Sequence, residues 1–362
     1  MRKRLLGTSA LMAFGMLSPG AHAADKIRLT LGGYFDAFLV AGRQDDGAGQ
    51  SAAGFRNHGI GRESEIFFRG TTALDNGIRF GVNIQLEGET SADQIDESYI
   101  FAEGRFGRIE LGSEDPAGDS MFVGPDSPID GGGINSPIIV HIQNGGNAIR
   151  APATLVNISG DNDKISYFSP RIAGLQFGAS YTPDATQERA GALRARNDAG
   201  QQSESLEAAL NYERALGRLG IRVTGSIARA DLEGPAAGTR EREQWGLSTM
   251  LTYRGVEFGA SYRQDNQGTS GGNSDRRDIA AGLNYGEGAW SVGVEYALGE
   301  AEAGAAGGRD RSEGLELGAV YDLGPGINVT GGVQFWRLRD NLNAPASEND
   351  ATIVIIGTNL SF

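Results

Sequence analysis

From Ile27 to the C-terminus, apolar residues recur at every second position in successive windows of about ten residues, the period of a strand with one oily and one wet face. Leu29, Leu31, Phe35, Ala37 and Leu39 alternate with Arg28, Thr30, Gly32, Tyr34 and Asp36. Ile66, Phe68, Gly70, Thr72 and Leu74 alternate with Glu65, Phe67, Arg69 and Thr71. The tight turn Asp75-Asn76-Gly77 follows, and Ile78, Phe80, Val82, Ile84 and Leu86 return against Arg79, Asn83, Gln85 and Glu87. Further short turns are predicted at 104–107, 171–174, 215–220, 254–255, 286–288 and 324–326. Long polar connections are predicted near 41–61, 88–94, 113–163, 183–203, 231–242, 265–276, 299–312 and 340–350. Seven turns and eight loops separate sixteen strands.

An even number of two-faced strands, joined by short connections at one rim and long ones at the other, predicts an all-β fold: a transmembrane antiparallel up-and-down β-barrel. A soluble sandwich or a β-helix also alternates, so the aromatics decide. Tyr212, Tyr253, Tyr285 and Tyr321 are the last outward residues before short turns, and Tyr181, Tyr262, Tyr296 and Phe335 the outward residues near the long loops. Trp290 falls at the lower rim and Trp245 at the upper, which gives two girdles at headgroup level, whereas a sandwich would bury such rings mid-strand. Lumen-side positions are often glycine (Gly178, Gly259, Gly282, Gly293, Gly318, Gly332), which weakens a soluble strand but leaves room inside a wide barrel. The last segment alternates through Thr352, Val354, Ile356, Thr358, Leu360 and Phe362, as expected of a strand that pairs back onto the first.

The connection at about 113–163 is far longer than a compact domain ordinarily tolerates without a use for it. It carries Glu114, Asp115, Asp119, Asp126 and Asp130 and a Gly131-Gly132-Gly133 hinge, and it is read as folding into the lumen and narrowing it.

Composition does not separate a barrel from a soluble exported chain: 39% hydrophobic residues and a mean hydropathy of -0.30 suit either, since half of each barrel strand faces water. Past the N-terminus no apolar run approaches the roughly eighteen residues of a membrane helix. The start does have a signature. Met1-Arg2-Lys3-Arg4, an apolar stretch from Leu5 to about Leu17, and Ala21-His22-Ala23 predict a signal peptide over 1–23, with a single barrel domain over 24–362. Removing its three cations takes the net charge from -14 to -17, a field that repels nucleic acid. There is no cysteine, so disulfides and thiolate metal sites are excluded. The remaining histidines, His58 and His141, fall in predicted loops, and Gly268-Thr269-Ser270-Gly271-Gly272 lacks the strand-to-helix setting of a nucleophile elbow, so no enzyme is expected.

Several stretches resemble the sixteen-stranded trimeric general porins of the Gram-negative outer membrane, especially the α-proteobacterial branch. They are Leu31-Gly32-Gly33-Tyr34-Phe35, Ser64-Glu65-Ile66-Phe67-Phe68-Arg69-Gly70 with Leu74-Asp75-Asn76-Gly77, Gly107-Arg108-Ile109-Glu110-Leu111-Gly112, Ser166-Tyr167-Phe168-Ser169-Pro170-Arg171 leading to Gly178-Ala179-Ser180-Tyr181-Thr182-Pro183, and the terminal Phe362. The resemblance covers essentially the whole mature chain. It implies passive diffusion of small hydrophilic solutes and ions through each protomer of a homotrimer set in outer-membrane lipid and lipopolysaccharide. It also implies an inward third loop with acidic residues opposite wall arginines, and Phe362 as the signal to the barrel-assembly machinery. Enteric members of that family carry a P-E-F-G-G motif at the loop tip, for which the nearest candidate here is Pro128-Ile129-Asp130-Gly131-Gly132-Gly133.

By alternation Arg28, Arg69, Arg79 and Arg108 point into the lumen, facing Glu114, Asp115, Asp119, Asp126 and Asp130 across the narrowing. Asp115, Asp119, Asp126 and Asp130 are also candidate calcium ligands, without EF-hand spacing. The reading is a general-diffusion porin with weak cation preference. Its rivals are a substrate-specific channel, for which the inward Tyr34, Phe38, Phe67 and Trp336 are too scattered to form an aromatic ladder, a lipid-active barrel enzyme, and an adhesin.

Overall fold

The computed structural model describes residues 26–45, 54–88, 94–135, 142, 151–185, 198–270, 275–302, 308–340 and 348–362; the expected signal peptide lies outside them, as does His141. Sixteen strands appear: β1 (Arg28–Gln44), β2 (His58–Ala73), β3 (Arg79–Glu87), β4 (Ile95–Gly104), β5 (Gly107–Ser113), β6 (Asp163–Phe168), β7 (Leu175–Asp184) and β8 (Gln202–Leu216) form the first half. The second half is β9 (Leu219–Leu232), β10 (Arg242–Tyr253), β11 (Val256–Asp265), β12 (Arg276–Glu287), β13 (Trp290–Glu302), β14 (Arg309–Gly324), β15 (Ile327–Arg339) and β16 (Asn349–Ser361). The one helix among the described residues is α1 (Ala117–Ser120).

Each strand pairs antiparallel with its sequence neighbours, and β1 pairs with β16 to close the barrel. Closure is what lipid demands, because an open edge would strand backbone N–H and C=O groups in hydrocarbon. The seam runs from Tyr34 opposite Ser361 to Gln44 opposite Ala351. Phe362 extends it: its N–H and C=O exchange bonds with those of Gly33, both at 3.0 Å. Gly33 has no room for a side chain there, since a Cβ would lie 2.4 Å from the Glu65 carbonyl and 2.9 Å from the Phe362 ring.

The outer face is apolar and bare. Leu31 is 62% exposed, Leu39 64%, Leu247 56% and Ile356 59%, values that suit a surface in contact with lipid or another barrel and not with water. The aromatic bands form, with Trp290 against Tyr321 at 4.4 Å at the short-turn rim and Trp245 against Tyr262 at 5.1 Å at the other. His58, expected in a loop, instead begins β2, because the ladder with β1 continues up to the Ala41–His58 pair. The inner face is mostly polar, with one apolar sector that follows from the third long connection.

Candidate functional site: the inserted loop and the channel beside it

Loop 3 joins β5 to β6, and its described residues, 114–135, 142 and 151–162, are not structureless. Residues 114–135 cross the lumen along the wall from β6 round to β1, and 151–162 lie along the same wall nearer β6. On the way out Ala117 N donates to Ser180 Oγ at 2.8 Å and Met121 O accepts from Thr224 Oγ1 at 2.7 Å. Asp126 O accepts from Asn284 Nδ2 at 2.8 Å and Asp130 N donates to Thr330 Oγ1 at 3.1 Å. On the way back, inward side chains of successive strands hold its backbone. Arg276 donates to Ala151 O at 2.7 Å, Arg263 to Leu155 O at 3.1 Å, and Asp278 and Gln244 accept from Ala153 N and Asn157 N. Glu207 accepts from Ser159 N at 3.0 Å.

The lumen-side glycines are the seats of this loop. Pro125 rests on Gly259 and Gly282, Pro128 and Ile129 on Gly318, Ile129 on Gly332, and Met121 and Ala117 on Gly178. A Cβ on Gly259 would come within 2.3 Å of Pro125 Cα, and one on Gly318 within 2.5 Å of Pro128 O. Gly293, grouped with them by sequence, faces the Asn284 side chain instead. Within Gly131-Gly132-Gly133, Gly131 takes the turn at φ +73°, and Gln334 Nε2 donates to Gly132 O. Beneath the loop tip the wall turns apolar, where Ile129, Ile134 and Ile142 pack with Phe38, Trp336, Leu338, Ile353 and Ile355. Both roots are gathered by buried Lys164, whose Nζ donates to Gly160 O and Asn162 O at 2.7 Å each and to Glu114 O.

These anchors fall on β7–β12 and β14–β16, across the barrel from the wall that β2–β5 form. Arg69, Arg79 and Arg108 stand on it; Arg28 opens β1, in register with Thr71. The arginines are not a bare basic field. Glu103 lies 3.5 Å from both Arg79 and Arg108, and Arg108 also pairs with Glu110 and stacks on Phe101 at 3.7 Å. Arg69 donates to Asn83 at 3.2 Å and stacks on Phe67 at 4.6 Å, with Tyr34 beyond at 6.0 Å. Sequence reasoning passed over Glu97, Glu103 and Glu110, although the alternation of β4 and β5 puts them on the face of Tyr99, Phe101 and Arg108.

The loop carboxylates separate into groups. Glu114 and Asp115 share a 630 Å3 recess with Arg108, Glu97, Glu103 and Glu110. Glu114 is nonetheless 3% exposed, turned into the wall rather than the channel. Asp119 accepts from Asn157 Nδ2 at 2.8 Å, Asp126 lies by Asn284 of β12, and Asp130 accepts from Asn328 of β15 at 2.7 Å. Three strand spacings, about 14 Å, separate the last two anchors, so Asp115, Asp119, Asp126 and Asp130 cannot ligate one calcium together. A tighter group is Glu97, Asp115 and Asp161, with oxygens within 4.8 Å of one another. Its charge is already countered by the Lys164 ammonium, which acts on both aspartates.

Burial, then Asp119 and Glu97, push Asp115 up to about 7. Burial, then Asp161 and Glu207, push Asp119 up to about 6. Burial and the bond with Glu110 push Glu114 up to about 10, so it is neutral at physiological pH. Two consequences have the same sign. Raised carboxyls stabilise the docked loop fully below their unfolded values near 3.8, and that contribution is lost as pH rises through 6 to 7. Over the same window two negative charges appear beside the channel, so the cation-to-anion permeability ratio should climb between pH 5 and 8. Reversal potentials at the two pH values check this; Asp115→Asn with Asp119→Asn should flatten the curve.

No protein of curated function matches the chain. Solved structures match its fold throughout. An anion-selective porin from Comamonas acidovorans is 18% identical, with 93% of this chain and 100% of that chain covered and a TM-score of 0.64. The trimer form of OmpT, an outer-membrane protein of Vibrio cholerae, is 14% identical, with 93% and 100% covered and a TM-score of 0.61. A mutant Rh. blastica porin is 19% identical, with 92% and 100% covered and a TM-score of 0.56. At these identities the likeness speaks for the closed barrel alone. The family model of the Gram-negative porins, however, matches residues 7–341, nearly the whole sequence, and with the lipid-facing exterior and polar interior it establishes that the chain belongs to the Gram-negative porin family and is an outer-membrane diffusion channel.

Proposed function

We propose that solutes pass between loop 3 and the β2–β5 wall, as a general-diffusion channel for small hydrophilic molecules and ions with a weak preference for cations. The observation that carries this is the pinning of the loop to β7–β12, β14–β16 and β1. The charge count supports the sign of the preference. Arg28, Arg69, Arg79 and Arg108 stand against the inward Glu63, Glu65, Glu87, Glu97, Glu103 and Glu110, before Asp115, Asp119, Asp126 and Asp130 are added from the loop.

The homotrimer is part of the same proposal. Eight tyrosines (Tyr167, Tyr181, Tyr212, Tyr253, Tyr262, Tyr285, Tyr296, Tyr321) and two tryptophans point outward, all on β6–β14. The outer faces of β16 and β1–β5 carry leucine, isoleucine, valine, phenylalanine and small residues, with Arg43, His58, Arg62, Asp96 and Asp350 toward the long-loop end, and no tyrosine or tryptophan. An uninterrupted sector without aromatic girdle residues suits contact with other protomers rather than lipid. The outer membrane's lipopolysaccharide would meet the aromatic sector, and Phe362 at the exposed seam end would present itself to the barrel-assembly machinery. Planar-bilayer recording of the purified protein tests the reading. Conductance should appear in groups of three equal steps, with a reversal potential of cation-selective sign in a potassium chloride gradient. Clear anion selectivity would show that the arginines outweigh their paired carboxylates.

A further inference from the structure

The seven short turns are unequally charged. At or beside those joining β4 to β5, β6 to β7, β8 to β9 and β10 to β11 stand Arg105, Arg171, Arg214 with Arg218, and Arg254. At or beside the other three stand Asp75, Glu287 and Asp322, and the one cation there, Arg79, turns into the lumen 3.5 Å from Glu103. Four consecutive cationic turns are unexpected in a chain of net charge -14. Arg171 belongs to the lumen side, where it donates to Gln176 at 2.9 Å and lies 3.6 Å from Glu213. Arg105, Arg214, Arg218 and Arg254 are exposed and make no ion pair among the described residues.

Register fixes which of these cations leave the channel. Tyr212 is outward, so Arg214, two residues on and paired with Ile221, shares the outer face, and exposed Leu216 follows it. Tyr253 is outward as well, and the Arg254 guanidinium lies over its ring at 5.3 Å. Arg105 and Arg218 occupy the tips of their turns. The outward neighbours at these strand ends, Ala102, Ile109, Leu175, Ile221, Leu251 and Val256, are apolar, so no carboxylate answers the arginines from that side. The long-loop rim is built differently. There the outward Arg229, Arg277, Arg309, Arg311, Arg337 and Arg339 each lie within 4.0 Å of a carboxylate.

Short turns of an outer-membrane barrel face the periplasm, so the arc sits at the headgroups of the inner leaflet, just below the girdle rings of Tyr167, Tyr212 and Tyr253. A guanidinium at that depth is matched by phosphate oxygens, which it takes two at a time, while Leu216 beside it suits acyl chains. We propose that the short-turn rim from β4 to β11 is a docking surface for anionic phospholipids of the periplasmic leaflet, with Arg214, Arg218 and Arg254 receiving headgroup phosphates and Arg105 extending the arc. The inference rests on the reading that β6–β14 face lipid. It gives the barrel two unlike rims, one neutralised by its own carboxylates and one that recruits its counter-charge from the membrane.

The test uses the full chain folded into bilayers of phosphatidylcholine with brominated acyl chains, with Leu216→Trp as a reporter in a Trp245→Phe, Trp290→Phe background. Heat-modifiable mobility on gels certifies the fold of each variant. Bromine should quench the reporter, and replacing part of the lipid by unbrominated phosphatidylglycerol should restore its fluorescence in proportion to the occupancy beside it. Phosphatidylglycerol should be preferred over phosphatidylcholine by at least about fivefold at low salt, the worth of one arginine near an anionic surface, and the preference should fade at high salt. Arg214→Gln, Arg218→Gln and Arg254→Gln together should bring the ratio close to one with channel conductance unchanged. Arg311→Gln with Arg337→Gln, at the opposite rim, should leave the ratio as it was. If bromine does not quench the reporter, the lipid-facing reading of this sector falls and the inference with it. If quenching occurs but phosphatidylglycerol is not preferred, or the preference survives in the triple variant, the docking surface alone is overturned.

Discussion

Replacing Lys164 by methionine is expected to free both ends of loop 3 while leaving the barrel closed. The ammonium is 2% exposed and gives its three protons to the carbonyls of Glu114, Gly160 and Asn162, one from the outgoing arm and two from the returning arm. Methionine fills much the same volume and donates nothing. Each carbonyl left without a donor in a dry site costs about 1–3 kcal/mol, and Asp161, Glu207 and Asp115 lose their shared counter-charge. The β5–β6 ladder does not depend on this side chain, since it is made by backbone groups from Arg108–Phe168 to Ser113–Asp163. Hydrogen exchange separates the two levels. Loop-3 amides should exchange at least about a hundredfold faster, a loss of roughly 2.7 kcal/mol, with strand amides unchanged, and open-channel current should become noisy. Equal slowing or speeding across loop and strands would mean that Lys164 supports the barrel as a whole and is not a clasp for the loop.

That clasp was invisible in the sequence, where Lys164 reads as one more polar residue on an alternating strand. The barrel was legible because its cause is local and repeated. Lipid outside and water inside impose a two-residue period on every strand, and turns such as Asp75-Asn76-Gly77 punctuate it. The glycine seats were half legible: Gly259, Gly282 and Gly318 stood out as weak strand formers, but only the fold shows that Pro125 and Ile129 lie on them. The channel charges were less legible, for two physical reasons. Alternation gives the face of a side chain but not its partner, so Arg79 and Arg108 read as free cations until Glu103 and Glu110 were seen beside them. Within a loop there is no period at all, so Glu114, which turns into the wall, could not be told from Asp130, which faces water.

Removal of the Trp336 ring should have an effect of similar size by a different route. An apolar patch on the inner wall of a water-filled barrel is costly unless something covers it. Here Phe38, Trp336, Leu338, Ile353 and Ile355 are covered by Ile129, Ile134 and Ile142 of the loop, and Trp336 is 4% exposed with its Nε1 donating to Gln334 at 3.0 Å. The hydrophobic effect thus adds to the hydrogen bonds from Asn328, Thr330 and Gln334 in fixing the far end of the loop, and the run Ile353-Val354-Ile355-Ile356 breaks alternation because both of its faces are dry. Trp336→Ala deletes the largest ring under the tip, and a buried aromatic cut to alanine typically costs about 3–5 kcal/mol. Strand pairing between β14, β15 and β16 is made by backbone groups and survives, so the loss falls on docking of the loop. The expected result is faster exchange at Ile129 to Ile134, larger single-channel conductance and poorer exclusion of larger sugars in a liposome-swelling assay. Phe335→Ala is the control: its ring points outward at 42% exposure into lipid, one residue away on the same strand. It should lower barrel stability without touching the loop. If both variants widen the channel equally, the apolar seat is not what holds loop 3 in place.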